Sequence, residues 1–256
     1  MRNLIKFLVC LALGLLIFSG VTEAQKKPVK PRPIKAKEIG QTAVVLDETL
    51  SVLRTTPSLF ADAVQRMRRG REVKILAVAE ADGVKFFRVT AEPSNFGWVQ
   101  ADAVFGKFRA GDEERLAKLV QASGGFEQLE VAAYYFTLYP NSQFRPAILL
   151  LFGDLCQETA VRLSKDATSR LNRGEMAASA APMHSYYLNY VGLDRYRKLG
   201  ITFRFNSATK AFYYDGASWR ELIAKHATSP EAAEARKRLD SINQKARVLD
   251  QKAGQK

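Results

Sequence analysis

The spacing of the apolar residues changes near Phe105, and this change constrains the fold more than any other feature of the sequence. Between residues 42 and 104, short apolar runs alternate with turn-forming residues, which is typical of strands. After Phe105, apolar residues recur every three or four positions, as they do along one face of a helix. The sequence therefore predicts a β-rich region followed by a helical region.

The β-rich region contains five short runs that predict strands. Turn-forming pairs such as Arg69-Gly70 and Asp82-Gly83 separate them. Five short strands in so few residues favour a closed or nearly closed β fold, because closure leaves no exposed strand edge. The runs are 43–46, 52–53, 73–78, 86–89 and 98–99.

Several of these runs, read in order, also carry a family resemblance. They are Leu50-Ser51-Val52-Leu53-Arg54 with Pro57-Ser58, then Arg68-Arg69-Gly70-Arg71-Glu72-Val73, then Phe86-Phe87-Arg88-Val89, then Gly97-Trp98-Val99. Together they resemble a bacterial SH3 domain over residues 42–106. Members of this family are often attached to envelope proteins and some recognise cell-wall peptides, so the resemblance implies a binding module.

Two loops of the SH3-like region are the expected ligand face, because grooves in such barrels lie between loops. They are residues 55–58 and 93–98. For Trp98, core packing of a small barrel is favoured over stacking on a ligand, as it is for Phe86, which stands where the family usually has tryptophan. The candidate ligand-facing residues are Thr55, Ser58, Asn95 and Trp98.

The helical region contains one pattern twice: a helix, a short turn with serine at a cap, and an alanine-rich helix. The turns are Tyr139-Pro140-Asn141-Ser142 and Thr228-Ser229-Pro230-Glu231. The pattern resembles the tetratricopeptide-type repeats of bacterial envelope proteins, with a generic helical bundle as the alternative. The expected fold class is therefore a multidomain α+β protein, a small SH3-like β-barrel followed by an all-α tetratricopeptide-like helical domain at residues 107–256.

A loop or hairpin insertion is expected within the helical domain at about residues 164–214. Residues 164–182 are polar and predict a loop, while residues 201–205 alternate like a strand that residues 211–214 pair with. Tyrosines and cations are interleaved here, and core aromatics with solvated cations on the opposite face are favoured over stacking on nucleic acid.

The C-terminal residues 232–249 place apolar side chains at alternating steps of three and four. This seam spans under three heptads, which favours a terminal capping helix over a dimerisation zipper. A structural protein that self-associates through this helix is a minor alternative. The oligomeric state is not predicted.

The first 24 residues have the pattern of an export signal. Arg2 and Lys6 precede an apolar run over residues 7–18 that is too short to span a hydrocarbon core of ~30 Å, and small residues end at Ala24. We expect cleavage after Ala24 and a protein that is periplasmic or secreted. An uncleaved anchor is the alternative, and Cys10 lies inside the apolar run, where a lipid-modified cysteine would not be.

Residues 25–41 form a basic, proline-rich linker in the sequence. Prolines 28, 31 and 33 favour an extended backbone, and the cations repel one another. A plain spacer and an electrostatic tether to an anionic envelope surface are both open. The whole chain carries a net charge of +13, and export makes nucleic acid the least expected partner of such a surface.

The sequence offers little for catalysis. A nucleophile needs a nearby base, and the chain contains only two histidines, His184 and His226. Cys156 lies on an apolar helical face and is expected to be a buried core thiol. No pair of histidines or cysteines has the spacing of metal ligands, so no catalytic residue, cofactor or metal is expected.

These patterns together predict a non-enzymatic, exported binding or scaffold protein of the cell envelope. Its expected partner is peptidoglycan or another protein. Two alternatives remain open: an accessory subunit or regulator of a cell-wall enzyme, and an enzyme with an unrecognised carboxylate site in the helical region.

Overall fold

Alternating apolar residues and tight turns build one antiparallel sheet of seven strands in the first half of the chain. The structure is a computed structural model that describes residues 36–91 and 95–253. The sheet order is β3-β2-β6-β5-β4-β1-β7. The strands are β1 (Thr42–Val45), β2 (Val52–Arg54), β3 (Ala63–Arg66), β4 (Glu72–Ala81), β5 (Val84–Ala91), β6 (Asn95–Gln100) and β7 (Val104–Phe105).

The export signal predicted for residues 1–24 lies outside the described residues, as does most of the predicted linker. The end of that linker is described, and it pairs with the sheet. The amide of Gly40 donates to the carbonyl of Ile75 at 2.8 Å, and the amide of Ile75 donates to the carbonyl of Gln41 at 2.9 Å. The chain is therefore ordered against β4 before β1 begins.

The turn between β4 and β5 confirms a prediction from the sequence. Asp82 and Gly83 both have positive φ, 54° and 72°. A two-residue hairpin turn of this kind needs positive φ at both positions, and aspartate followed by glycine adopts it readily. The turn fixes the register of β4 and β5, the two longest strands.

The inner face of the sheet forms a core of its own. Successive strand residues point to opposite faces, and the inward set is apolar on every long strand. Phe108 closes this core from beyond β7, with its ring 6.5 Å from that of Phe87. The inward set includes Ala43, Val45, Leu53, Val73, Ile75, Val78, Phe87, Val89, Val99 and Val104.

The helices cover the outer face of the sheet at the edge formed by β1 and β7. Val44 and Leu46, which alternate with Val45, belong to the same apolar core as the helices, and so does Phe105 on β7. β1 is thus buried on both faces, with a burial pattern in which only Thr42 is exposed.

The second half of the chain contains eight α-helices among the described residues, and a hairpin interrupts them. The hairpin pairs β8 (Phe203–Asn206) with β9 (Ala211–Tyr214), where alternation in the sequence predicts strands. The helices are α1 (Asp112–Ala122), α2 (Gly125–Leu138), α3 (Arg145–Arg170), α4 (Arg173–Ala178), α5 (Met183–Leu188), α6 (Asp194–Arg197), α7 (Ala217–Lys225) and α8 (Pro230–Ala253).

The predicted fold class is wrong. Helices and strands interleave in one mixed α/β unit, and the helices do not form a separate all-α domain after a barrel. The physical reason lies in the core: the apolar faces of α1, α2 and α3 are buried partly by sheet residues and partly by Phe212 and Tyr214 of the hairpin. Nor is the sheet a closed five-stranded barrel, because its order ends at β3 and β7.

One further expectation for the helical region, the loop predicted for residues 164–182, is corrected. α3 continues to Arg170 through part of the predicted loop, because Leu163 and Ala167 are buried on its inner face. The described part of the C-terminal seam packs within the chain: Ala235 is buried, and Leu239 lies against the shared core. None of the described helices is long and apolar enough to cross a membrane.

Candidate functional site

Ser58, a predicted ligand-facing residue, instead forms a hydrogen bond that holds its own loop against the β4–β5 turn. Residues 55–62 join β2 to β3, and the hydroxyl of Ser58 donates to Oδ2 of Asp82 at 2.7 Å. The amide of Leu59 donates to the same oxygen at 2.8 Å. These hydrogen bonds, that of Ser58 first, hold the pKa of the Asp82 carboxyl below its usual value. Asp82 therefore latches the 55–62 loop to the β4–β5 turn.

The base of the same loop is held by backbone and by arginine. The amide of Thr55 donates to the carbonyl of Asp62 at 3.1 Å. Nη1 of Arg54 donates to the carbonyl of Ala61 at 2.7 Å. The loop so fixed carries Phe60, whose side chain is 89% exposed. A large aromatic residue in this position buries nothing within the protein.

Trp98 lies at the centre of a cationic row on the outer face of the sheet. It pairs with Arg54 on β2 and with Arg88 on β5. Cross-strand partners project from the same face, with Cβ atoms about 5 Å apart. Arg88 is exposed, and Trp98 and Arg54 are half-buried. Trp98 belongs to neither hydrophobic core of the described residues, whereas Phe86 is fully buried.

The next row of the same face carries a second aromatic residue. Phe96 is 56% exposed and pairs with Thr90, which in turn pairs with Lys74 of β4. Asn95 stands three positions from Trp98 on one strand, so the pleat directs it to the opposite face. The structure thus separates Asn95 from Trp98, although both are predicted ligand-facing residues.

We name the outer surface of β2, β6 and β5 the Trp98 face, defined by Arg54, Arg88, Phe96 and Trp98. Phe60 borders it, because the guanidinium of Arg54 reaches the loop residue next to Phe60. Nε of Arg54 is buried and has no hydrogen-bond partner among the described residues. The surface combines aromatic area with cations, which suits planar or apolar groups that carry carboxylates.

Arg54, Arg88, Phe60 and Phe96 were not among the ligand-facing residues predicted from the sequence. The signal was present for two of them: Arg88 and Phe96 alternate with buried residues on their strands, so the pleat places them with Trp98. Phe60 gave no signal, because an isolated aromatic residue in a polar loop is indistinguishable from one that packs.

The thiol of Cys156 belongs to the hydrophobic core that the helices share with the sheet. Cys156 is buried, as predicted, and burial together with the charge of Asp215 raises the pKa of its thiol. Among the described residues, no three His, Cys, Asp or Glu side chains cluster as metal ligands.

Asp112 is a buried carboxylate that the sequence analysis did not single out. It is 1% exposed, and Oδ2 accepts from the amide of Gly106 at 3.1 Å. Oδ1 accepts from Nε of Arg109 at 2.6 Å and lies 3.2 Å from Nη1 of Arg115. A carboxylate that is satisfied on both oxygens joins the end of the sheet to the start of α1.

Comparison with known proteins adds no relative. No protein-family model matches the chain, and no curated protein or solved structure matches it either. The resemblances to bacterial SH3 domains and to tetratricopeptide repeats therefore stay predictions.

Proposed function

We propose that the protein is an exported, non-enzymatic binding or scaffold protein of the cell envelope whose Trp98 face recognises cell-wall polymer. One observation carries the proposal: Trp98 stands between Arg54 and Arg88 on the part of the sheet that the helices leave uncovered. The export pattern of residues 1–24 supports the location.

The chemistry of the Trp98 face favours a carboxylate-bearing polymer. Arginine binds carboxylates through two parallel hydrogen bonds, and cell-wall peptides carry free carboxylates. Indole offers a large apolar area on which the apolar face of a sugar or a peptide side chain packs. An arginine on each side of Trp98 matches a ligand in which anionic and apolar groups alternate.

Co-sedimentation with purified cell-wall sacculi tests the proposal. We expect the protein to pellet with sacculi, Trp98→Ala to abolish this, and Trp98→Phe to retain part of it. Arg88→Gln should weaken binding about tenfold, since a charge-assisted hydrogen bond contributes about 1.5–3 kcal/mol. Arg68→Gln is the matched control, because Arg68 is exposed but lies between β3 and β4, outside the Trp98 face.

Two further arms separate this proposal from its competitors. Deletion of residues 25–35 and raised salt should leave most of the binding intact. Binding that is lost under both conditions, and that Trp98→Ala leaves unchanged, would mean charge attraction through the basic segment. Absence of all co-sedimentation would contradict cell-wall recognition and direct the search to a protein partner. Far-UV circular dichroism of each variant establishes that it is folded.

A further inference from the structure

A cavity of about 340 Å³ lies between the end of α3, the short helices α4 and α5, and the β8–β9 turn. Its volume is within the range of small-molecule sites, about 300–1,000 Å³. It is remote in sequence from the Trp98 face and shares no residue with it. Neither the resemblances nor the proposed function accounts for it.

The wall of this cavity is mainly apolar. Leu171 and Ala177 line it together with two methionines, Met176 and Met183. Methionine is unbranched and adapts to irregular shapes, which makes it common on surfaces that receive apolar ligands. The inner wall is the ring of Tyr187, which is 4% exposed and stacks on Phe205 at 4.3 Å. This wall suits an aliphatic chain.

The charged residues of the cavity have one sign. Arg173 and Lys210 line it, and none of the described residues that line it is acidic. Arg173 is the first residue of α4, whose cap Asn172 accepts from the amide of Gly174 at 2.9 Å. Lys210 closes the β8–β9 turn with a φ of 52°. The two cations come from separate elements and are exposed, which suits an anionic head group at the opening.

The helix α4 is short and makes few packing contacts within the protein. It has six residues and buries none of them. A helix of this length does not persist by its own hydrogen bonds, since isolated helices shorter than about 12 residues are marginal in water. Only Met176 of this helix packs against the core, and it is partly buried. An aliphatic chain in the cavity would contact Met176 and Ala177 and so add to the packing of α4.

We propose that this cavity binds a single-chain amphiphile with one negative charge, of the fatty-acid class. The chain lies against Tyr187 and the two methionines, and the carboxylate lies between Arg173 and Lys210. Binding orders α4.

Calorimetric titration with laurate, below its micelle-forming concentration, tests the proposal on the full chain. We expect a dissociation constant of about 10–100 μM. Affinity should rise roughly threefold to fourfold with each methylene that the cavity buries, from octanoate to laurate. Dodecyltrimethylammonium, which has the same chain length and the opposite charge, should bind at least tenfold more weakly.

Matched variants locate the site. Any laurate that binds to the N-terminal residues does so equally in every variant, so it does not affect the comparison between them. Ala177→Trp fills the cavity and should abolish laurate binding, whereas Ala178→Trp, its exposed neighbour outside the lining, should not. Arg173→Gln with Lys210→Gln should weaken laurate about tenfold. The control pair Arg170→Gln with Arg204→Gln removes two exposed cations that do not line the cavity.

Hydrogen exchange measures the effect on α4 directly. The amide of Met176 donates to the carbonyl of Asn172 at 3.1 Å, and its protection should rise when laurate binds. Laurate affinity that is unchanged by Ala177→Trp would overturn the proposal, as would no binding up to millimolar laurate. Equal affinity for the two head groups would overturn the anionic class.

A last arm distinguishes a free amphiphile from a lipid in a bilayer. Vesicles of phosphatidylglycerol present the same charge and aliphatic chains in a membrane. Laurate binding that Ala177→Trp abolishes, with vesicle binding that it leaves unchanged, supports a free ligand in the cavity. Vesicle binding alone, with none of laurate, overturns the proposal in favour of attraction to the basic surface.

Discussion

On both halves of the sheet's outer face, strand residues alternate between the inner and the outer side, but the outward residues differ in type. At the β1–β7 edge the outward residues Val44, Leu46 and Phe105 are apolar, and the helices cover them. On β2, β6 and β5 the corresponding positions include Arg54, Arg88 and Trp98, and no core cluster of the described residues contains them.

This difference separates a structural surface from a binding surface. The covered half ties the sheet to the helices and makes the two one mixed α/β unit. The uncovered half keeps aromatic area in contact with water, which a protein gains little from unless a ligand covers it. Substitutions on the two sides of this boundary should therefore differ in their effects on stability and on binding.

Phe105→Ala should have the largest effect on stability. Phe105 is 2% exposed, and the guanidinium of Arg115 lies 4.4 Å from its ring centre. Truncating a buried phenylalanine costs about 3–5 kcal/mol. Phe105 is shared by the sheet and the helices. The urea midpoints measured by far-UV circular dichroism and by tryptophan fluorescence should therefore fall by the same amount.

Phe96→Ala is the matched variant on the uncovered half. Its side chain is more than half exposed, so we expect a change in unfolding free energy of about 1 kcal/mol or less.

In Phe105→Ala, two separate unfolding transitions, with only one of them shifted, would show that the sheet and the helices unfold independently. That result would contradict the comparison between the two halves of the outer face.

Gly70→Ala should destabilise the protein by about 2–3 kcal/mol. Gly70 has a φ of 82°, which alanine adopts only with strain, and an added Cβ would overlap the ring of Tyr134 on α2. Adding Tyr134→Ala should recover the steric part but not the backbone part. Strict additivity in this double-mutant cycle would mean that the turn and α2 are not in contact.

Arg69→Gln should cost about 2 kcal/mol. The Arg69 side chain is 6% exposed; Nη1 donates to Oε2 of Glu130 at 2.9 Å, and Nη2 pairs with Glu127. Removing one partner of a buried ion pair lowers the unfolding free energy strongly, but the exposure of Glu127 makes this loss smaller. In a denaturation cycle with Glu130→Gln we expect a coupling energy above about 0.5 kcal/mol. A coupling of zero would remove this ion pair from the link between sheet and helices.

The Asp82 latch on the uncovered side should give the smallest effect, and it depends on pH. Its hydrogen bonds lower the pKa of Asp82 in the folded protein below the usual 3.8. The stability it contributes is complete above that usual value and is lost as pH falls through the folded pKa. The Leu59 amide should therefore keep its hydrogen-exchange protection at the usual pKa of an aspartate and lose it only as the pH falls further, through the lowered pKa of Asp82.

Asp82→Ala should produce the same loss at neutral pH. The Thr55 amide is the control, because it donates to a backbone carbonyl. Its protection factor should stay the same at acid pH in the unchanged protein and at neutral pH in Asp82→Ala. Equal loss at Leu59 and Thr55 would mean that the whole loop opens and that Asp82 does not hold its tip.

The sequence predicted the parts of the fold that are set by local patterns. The Asp82-Gly83 turn, the long strands around it and the β8–β9 hairpin all follow from alternation and turn chemistry. β3 was not predicted, because Ala63–Arg66 lies at a sheet edge and buries no residue, so no apolar alternation marks it.

What covers a face cannot be predicted from the alternation of that face. The run Ala43-Val44-Val45-Leu46 is apolar throughout, which agrees with a strand buried on both sides, but it does not identify the helices as the covering layer. Trp98 shows the converse: its type favours the core, and only the register beside Arg54 and Arg88 places it outside.

Fluorescence of Trp98 tests the binding role of its face most directly. The chain has two tryptophans, and Trp219 is 2% exposed in the shared core, so Trp219→Phe leaves Trp98 as the only reporter. On titration with soluble cell-wall fragments we predict a saturable blue shift of its emission, weakened about tenfold by Arg88→Gln and unchanged by Arg68→Gln. Fragments that bind by calorimetry while the emission of Trp98 stays constant would contradict the account, because the ligand would then lie elsewhere.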